Sequence, residues 1–339
     1  MDERATEIAR FLRDAGWGGA ARVPLAGDAS ARRYERLRNA RGQSAVLMDA
    51  PATEGEDVAP FLHIARHLRS IGLSAPAILA ADRKTGLILM EDLGDDLFSR
   101  LCARQPAQEA RLYAAAIDLL AELQAHPPPA DLPPYDRETC LRESRLLTEW
   151  YLPAATGGPT PGALGAEFDA LVAEATDALE GGRACLVLRD YHAENLIWLP
   201  RRTGSARVGL LDFQDALRGH PAYDLISLLE DARRDTTLEL RQAMTARHLA
   251  RSGLEPEPFA HACAVLAAQR NLKIIGIFTR LWLRDGKPAY LDMIPRVWAH
   301  LRNDLSHPSL AALRALVKRH VPAPDGAVLA RIRQARDET

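Results

Sequence analysis

Two short apolar runs each lead into a polar cluster. Cys185 to Leu188 runs into Arg189-Asp190-Tyr191-His192-Ala193-Glu194-Asn195, and Val208 to Leu211 runs into Asp212-Phe213-Gln214-Asp215. A polar side chain at the end of a buried strand can reach a cleft while the strand stays in the core. The residue types suit phosphoryl transfer. That reaction asks the protein for a base, for metal ions across the phosphates, and for placement. Asp190 can take a proton from an acceptor hydroxyl. The Asn195 amide oxygen and the Asp212 carboxylate are hard oxygens suited to Mg²⁺. Two blander uses compete: Asp often caps turns after strands, and Asp190, Asp212 and Asp215 could serve a metal-dependent hydrolase that needs no nucleotide.

The elements that must position these groups follow from the apolar patterning. The first ninety or so residues read as strands with helices between them. Ala45 to Met48 and Leu87 to Met90 are short apolar runs after the turn signals Arg41-Gly42-Gln43 and Asp82-Arg83-Lys84-Thr85-Gly86. Phe61, Ile64, Ala65 and Leu68 fall at helical spacing, as do Ile8, Phe11, Leu12 and Ala15. After Asp92-Leu93-Gly94 the pattern becomes helical. One stripe runs through Leu112, Ala116, Leu119, Leu120 and Leu123 and stops before Pro127-Pro128-Pro129. A second runs from Val265 through Leu272 and Phe278 to Trp282. Thr156 to Gly165 reads as a flexible stretch.

The spacing from Asp190 to Asn195, with a later Asp at 212, resembles the catalytic loop and metal-binding Asp of kinases. With His192 two residues after Asp190, and with Pro221-Ala222-Tyr223-Asp224-Leu225 downstream, the chain is similar to the aminoglycoside-phosphotransferase and choline-kinase family. That resemblance implies an α+β, bilobal protein-kinase-like fold. Residues 1–93 would be a β-rich nucleotide-binding lobe, and 94–339 a larger helical lobe for catalysis and substrate. It implies ATP and Mg²⁺ as cofactors, Asp190 as base, Asn195 and Asp212 as metal ligands, and Asp224 bracing the loop through backbone amides. His192 joins the catalytic set through an ordering hydrogen bond within the loop.

The nucleotide side follows the same resemblance. The turn from Leu25 to Tyr34 is rich in small residues, and its backbone amides, at Gly27 and Ser30, could approach phosphates. Leu89-Met90-Glu91-Asp92-Leu93-Gly94 resembles the inter-lobe hinge, with backbone groups near Glu91 and Leu93 meeting adenine. The strand of Met48 lacks the family's phosphate lysine. Arg32 or Arg33 is expected to replace it. Without such a replacement, the reading of another class is a non-catalytic nucleotide-binding regulator.

Gly27-Asp28-Ala29-Ser30, Arg33-Tyr34, Val46 to Pro51, Glu149-Trp150-Tyr151-Leu152 and much of Gln269 to Leu291 resemble the anomeric kinases of bacterial cell-wall recycling. These phosphorylate N-acetylmuramate and N-acetylglucosamine at C1, and they share the methionine strand without lysine. The implied substrate residues are Trp150, Asp215, Gln269, Arg270 and Lys273, with Lys273 suited to a lactyl carboxylate. Trp150 could instead be core, and Arg270 and Lys273 a solvated helix face. An aminoglycoside, choline or homoserine are the other acceptors of this family.

Composition fits such an enzyme. The 339 residues are 47% hydrophobic with net charge −2, which supports a sizeable core and gives no general attraction to nucleic acid or membrane. Cys102, Cys140, Cys185 and Cys263 form no C-x-x-C pair, so reduced thiols in a cytoplasmic protein are expected. Neither a signal peptide nor a membrane span is read. A small-molecule sugar is the expected partner, with no obligate protein partner.

Overall fold

The computed structural model describes residues 3–25, 32–51, 53, 55–179 and 182–336. The chain runs through α1 (Glu3–Asp14), β1 (Ala21–Leu25), β2 (Arg33–Arg38), β3 (Ser44–Asp49), α2 (Ala59–Ser70), β4 (Ile78–Asp82) and β5 (Leu87–Glu91). Then follow α3 (Phe98–Arg104), α4 (Glu109–Ala125), α5 (Arg137–Leu146), α6 (Leu152–Thr156) and α7 (Gly162–Asp177). Four short strands come next: β6 (Cys185–Val187), β7 (Leu196–Trp198), β8 (Val208–Leu210) and β9 (Leu217–Gly219). The chain ends in α8 (Ala222–Leu229), α9 (Leu238–Ser252), α10 (Pro256–Leu283), α11 (Ile294–Asp304), α12 (Ala311–His320) and α13 (Gly326–Gln334). No helix among the described residues is long and apolar enough to cross a membrane.

The chain divides into two compact units. The first takes residues up to Leu123 together with Ala193–Ala216; the second takes Gln124–His192 and the rest from Leu217. In the first unit, five antiparallel strands order as β1-β2-β3-β5-β4. Tyr34 stands opposite Met48, Arg36 opposite Val46, and Val46 opposite Met90. Side chains alternate across a sheet, so these residues share one face. Leu37, Ala45, Leu47, Leu87 and Leu89 share the other, and pack with Ile8 and Leu12 of α1. Burying each such leucine contributes about 2 kcal/mol. Arg4 of α1 also pairs with Asp49 at the end of β3. The hairpin β7–β8 belongs to this unit: Leu210 N–H donates to the Ser74 carbonyl at 2.9 Å, and Trp198 N–H to that of Asp96 at 2.8 Å.

The second unit is built on α10, whose buried face includes Val265, Leu272, Ile275 and Phe278. Between α5 and α6 lies a five-residue π-helical turn, Leu147–Tyr151. Pro153 has no N–H for the carbonyl of Glu149 four residues earlier, which favours a local widening of the helix. Gly276 of α10 meets this junction: a Cβ there would lie 2.2 Å from the Leu146 carbonyl carbon. The expected flexible stretch is shorter than its glycines suggest. Gly157 ends α6 with φ +80°, and α7 already begins at Gly162.

Candidate active site

In the second unit, β6 delivers the chain into the Asp190 loop. β6 pairs with β9, Val187 opposite Leu217. Arg189 then takes φ +71°, a left-handed conformation rare for a residue with a side chain. Asp190 N–H donates to the Leu188 carbonyl at 2.9 Å, and His192 N–H to the Asp190 carbonyl at 3.1 Å, closing a tight turn. Helix α8 grips the same segment. The fully buried Asp224 accepts hydrogen bonds from Leu188 N–H at 2.7 Å and Arg189 N–H at 2.9 Å. Burial pushes this carboxyl up to about 7, against the lowering effect of those two bonds. One turn on, Ser227 Oγ donates to the Arg189 carbonyl at 2.9 Å, and itself accepts from Arg270 Nη2 of α10 at 2.9 Å.

His192 is buried, with Nε2 3.3 Å from Arg233 Nη1. Burial, aided by the Arg233 and Arg270 charges, pulls its pKa down to about 3. The ring is therefore neutral at physiological pH, and the Arg233 contact holds it in the loop.

The residues expected to meet substrate are mostly engaged within this unit. Gln269 is buried; its amide oxygen accepts from Tyr135 Oη at 2.8 Å and its nitrogen donates to the Cys140 carbonyl at 3.2 Å. Lys273 Nζ lies 3.1 Å from Glu143 and 3.4 Å from Tyr223 Oη. Glu143 also pairs with Arg189. Burial would raise the Glu143 carboxyl, but Lys273 and Arg189 outweigh it and hold the carboxyl below its usual range. The Lys273 charge is thus already matched by an ionised partner. Trp150 sits half-buried in the π-helical turn.

In the first unit, a cavity of about 270 Å³ opens on the sheet face that carries Tyr34, Arg36, Val46 and Met90. Leu25, Leu93, Ile197 and Leu211 add apolar surface, and Asn195 and Asp212 stand in the same wall. Met48 is on this face by register, two residues along β3 from Val46. The hinge segment joins the lining through Glu91, Asp92, Leu93 and Gly94. The Glu91 side chain accepts from Ala77 N–H at 3.1 Å and pairs with Arg202, and its own N–H donates to the Ala77 carbonyl at 2.8 Å.

Asp212 has φ +54°, the other left-handed residue besides Arg189 with a side chain among those described. Gln214 Nε2 donates to its Oδ1 at 2.8 Å, and Asn195 Nδ2 lies 3.4 Å from its Oδ2. Leu211 N–H donates to the Asn195 carbonyl at 3.0 Å. With the Asn195 amide turned over, two hard oxygens stand side by side in the cavity wall. That set fits Mg²⁺, which keeps most of its shell as water and substrate phosphate. Among the described residues no group of three or more His, Cys, Asp or Glu could hold a metal.

The phosphate-side arginines separate. Arg33 falls on the α1 face of β2, with Leu37, away from the face that carries Tyr34 and Arg36. Arg32 pairs with Glu56 at 2.8 Å, both side chains largely buried. Burial alone would lower the Arg32 pKa; Tyr34, Glu56 and Asp215 outweigh it and raise it. Asp215 itself is exposed and lies 3.3 Å from Gln214 Nε2. Gly27 and Ser30 lie outside the described residues. Sequence reasoning passed over Glu56 and Arg36. Arg36, in the cavity wall, pairs with Asp92 at 2.9 Å and Asp95 at 2.8 Å. Strand alternation counted from Tyr34 could have found it.

Residues 22–261 match the phosphotransferase enzyme family. The chain belongs to that family. This phosphotransferase is 40% identical over 356 residues to the N-acetylmuramate/N-acetylglucosamine kinase of Caulobacter vibrioides, covering 94% of this chain and 97% of that one. It is 36% identical to the protein of the same name from Pseudomonas aeruginosa, covering 89% and 90%. Among solved structures it is similar to choline kinase LicA from Streptococcus pneumoniae, with TM-score 0.64, 13% identity and 88% and 99% coverage. ADP-bound aminoglycoside phosphotransferase APH(2'')-Ib follows, with TM-score 0.59, 15% identity and 93% and 99% coverage. At such identities the likeness is one of fold: the phosphotransferase has the kinase-like α+β fold expected from its motif.

Proposed function

We propose that this phosphotransferase is an ATP-dependent kinase for the anomeric C1 hydroxyl of a cell-wall amino sugar, N-acetylmuramate or N-acetylglucosamine. The observation that supports the acceptor most is the near full-length similarity to two kinases named for those sugars. Support for the chemistry comes from a catalytic loop held at backbone and side chain, and from two adjacent oxygen-bearing side chains in a cavity wall. Residues 1–93 serve as the nucleotide lobe and 94–339 as the catalytic and substrate lobe.

Asp190 takes the proton of the C1 hydroxyl as its oxygen bonds to the γ-phosphorus and the bond to the ADP oxygen breaks. Asn195 and Asp212 hold Mg²⁺, which supplies charge neutralisation across the phosphates when bound. The Glu91 and Leu93 backbone meets adenine, with Met48 on the same sheet face. Arg32, fixed by Glu56, takes the place of the absent lysine; Arg33 faces α1 and is left out of that role. Neutral His192 orders the loop and does not carry the proton. Gln269 and Lys273 belong to the framework around Glu143.

The test is ADP release from Mg-ATP with N-acetylmuramate, N-acetylglucosamine, their methyl glycosides blocked at C1, and kanamycin. Release with the free sugars and none with the glycosides is expected. Release with kanamycin alone would move the acceptor to the antibiotics. Nucleotide binding with no release for any acceptor, choline and homoserine included, would favour a non-catalytic regulator.

A further inference from the structure

Asp224 accounts for only one side of the loop. It holds the Leu188 and Arg189 N–H groups, yet a peptide plane also has a carbonyl, and Arg189 presents its own at φ +71°. That carbonyl belongs to the peptide that leads into Asp190. It is reached by Ser227 Oγ at 2.9 Å, with Arg270 Nη2 behind the hydroxyl at 2.9 Å. Ser227 is fully buried and Arg270 is 6% exposed. Asp224 and Ser227 are three residues apart on α8 and so present to one side. The helix thus grips one residue at both its N–H and its carbonyl.

We infer that Ser227 and Arg270 are positioning residues for catalysis, a relay from α10 through α8 that fixes the Arg189–Asp190 peptide and so aims the Asp190 carboxylate. This assigns Arg270 a role other than sugar contact. The chemistry of the relay is specific. A serine hydroxyl can accept from a guanidinium and donate onward at once, and the cationic donor polarises the hydroxyl and strengthens its bond to the carbonyl. A left-handed residue with a side chain persists only where its surroundings over-determine it. Arg189 is fixed at N–H by Asp224, at carbonyl by Ser227 and at side chain by Glu143. Releasing the carbonyl frees the plane to rotate, and a displacement of about 1 Å at a reacting group can cost on the order of 100-fold in rate.

The inference rests on Asp190 as the base, so the experiment carries Asp190→Asn as a control. Ser227→Ala, Arg270→Lys, Arg270→Ala and the double variant Ser227→Ala/Arg270→Ala are assayed for kcat and for KM of ATP and sugar. Folding is checked by circular dichroism. Ser227→Ala should lower kcat about 10- to 100-fold, with both KM values within about twofold, because substrate contacts are untouched. The double variant should lose no more than the worse single variant, since both act through one bond to one carbonyl. Free guanidinium should restore part of the Arg270→Ala rate. The proposal is overturned if Ser227→Ala keeps kcat within threefold of wild type while Asp190→Asn is inactive. Losses that multiply in the double variant would overturn it as well. A near-normal Asp190→Asn would bring down the base assignment and this inference together. If Arg270→Ala does not fold, Ser227→Ala and Arg270→Lys decide the matter alone.

Discussion

Replacing Asp224 by asparagine should change stability and activity in opposite directions as pH rises. The buried carboxyl titrates at about 7 in the folded protein, against about 4 for an unfolded carboxyl. The folded state therefore favours the protonated form. Its contribution to stability is fully present below the unfolded value and is lost as pH rises through 7. From pH 5 to pH 8 the unfolded carboxyl is already ionised while the folded one gives up its proton over about two units. At 1.36 kcal/mol per unit, wild type loses about 3 kcal/mol through this one group. Asparagine stays neutral throughout and lacks that slope. The groups facing Asp224 are Asp190 in the loop, Cys185 on β6 and Arg270 on α10. Asp190 raises the Asp224 carboxyl and Arg270 lowers it; both residues are present in either protein, so their own effects largely cancel between the two. Whatever Asp224→Asn costs at pH 5, that cost should shrink by about 3 kcal/mol at pH 8. Activity should do the reverse, because only the carboxylate accepts from both Leu188 and Arg189 N–H groups. An amide must point its NH₂ at one of them, leaving a buried donor unmet at about 1–3 kcal/mol. Denaturant unfolding at pH 5, 6, 7 and 8, followed by tryptophan fluorescence, gives the stability difference; kcat at the same pH values gives the activity. A stability gap that stays flat to within about 1 kcal/mol would refute the reasoning.

Three other outcomes are expected. Arg32→Ala should weaken Mg-ATP binding by at least tenfold while leaving adenosine unchanged by calorimetry, and Glu56→Gln should show a smaller loss of the same kind; equal losses for ATP and adenosine would count against a phosphate role. Gly276→Ala should destabilise by about 3 kcal/mol or more, or fail to give soluble protein, because the 2.2 Å contact is with backbone that cannot rotate aside; a melting temperature within 2 °C of wild type would contradict this packing. Lys273→Ala should lower turnover of N-acetylmuramate and N-acetylglucosamine alike, since its charge is matched by Glu143. A loss confined to N-acetylmuramate would instead mark a contact with the lactyl carboxylate.

The candidate site residues stand out in the sequence because their types are scarce choices. Few side chains offer hard oxygen ligands or a base at the end of a strand, so Asp190, Asn195 and Asp212 stand out by position alone. The main helices were legible for a different reason: α10 repeats its apolar stripe over enough turns to exclude other periods. Three-residue strands such as β7 and β9 carry no such period, and they went unread. Direction was the larger loss. Arg32, Arg33 and Arg36 are equivalent as letters, yet alternation sends Arg33 toward α1 and Arg36 into the cavity wall. Gln269 and Arg270 look like polar decoration on a helix until α5 and α8 are known to pack against that side. A buried polar residue and a substrate-facing one have the same composition. What separates them is the partner supplied from elsewhere in the chain, here Tyr135 for Gln269 and Ser227 for Arg270.

The split of the first unit into two stretches of chain bears on how the protein comes off the ribosome. Its sheet is synthesised early, but the hairpin whose N–H groups donate to the Ser74 and Asp96 carbonyls is made only with residues 193–216. Until then the segments flanking β4 and β5 lack both bonds, and the cavity face of the sheet lacks the apolar cover of Ile197 and Leu211. The intervening seventy or so residues belong to the other unit, which in turn waits for everything after Leu217. Neither unit can finish during translation before the other has begun. Closing contacts across such long loops carries an entropic cost that slows folding. The arrangement makes maturation of the sheet unit and emergence of Asn195 and Asp212 a single late event, so a truncated or stalled chain is expected to lack the proposed metal-binding pair as well as a completed fold.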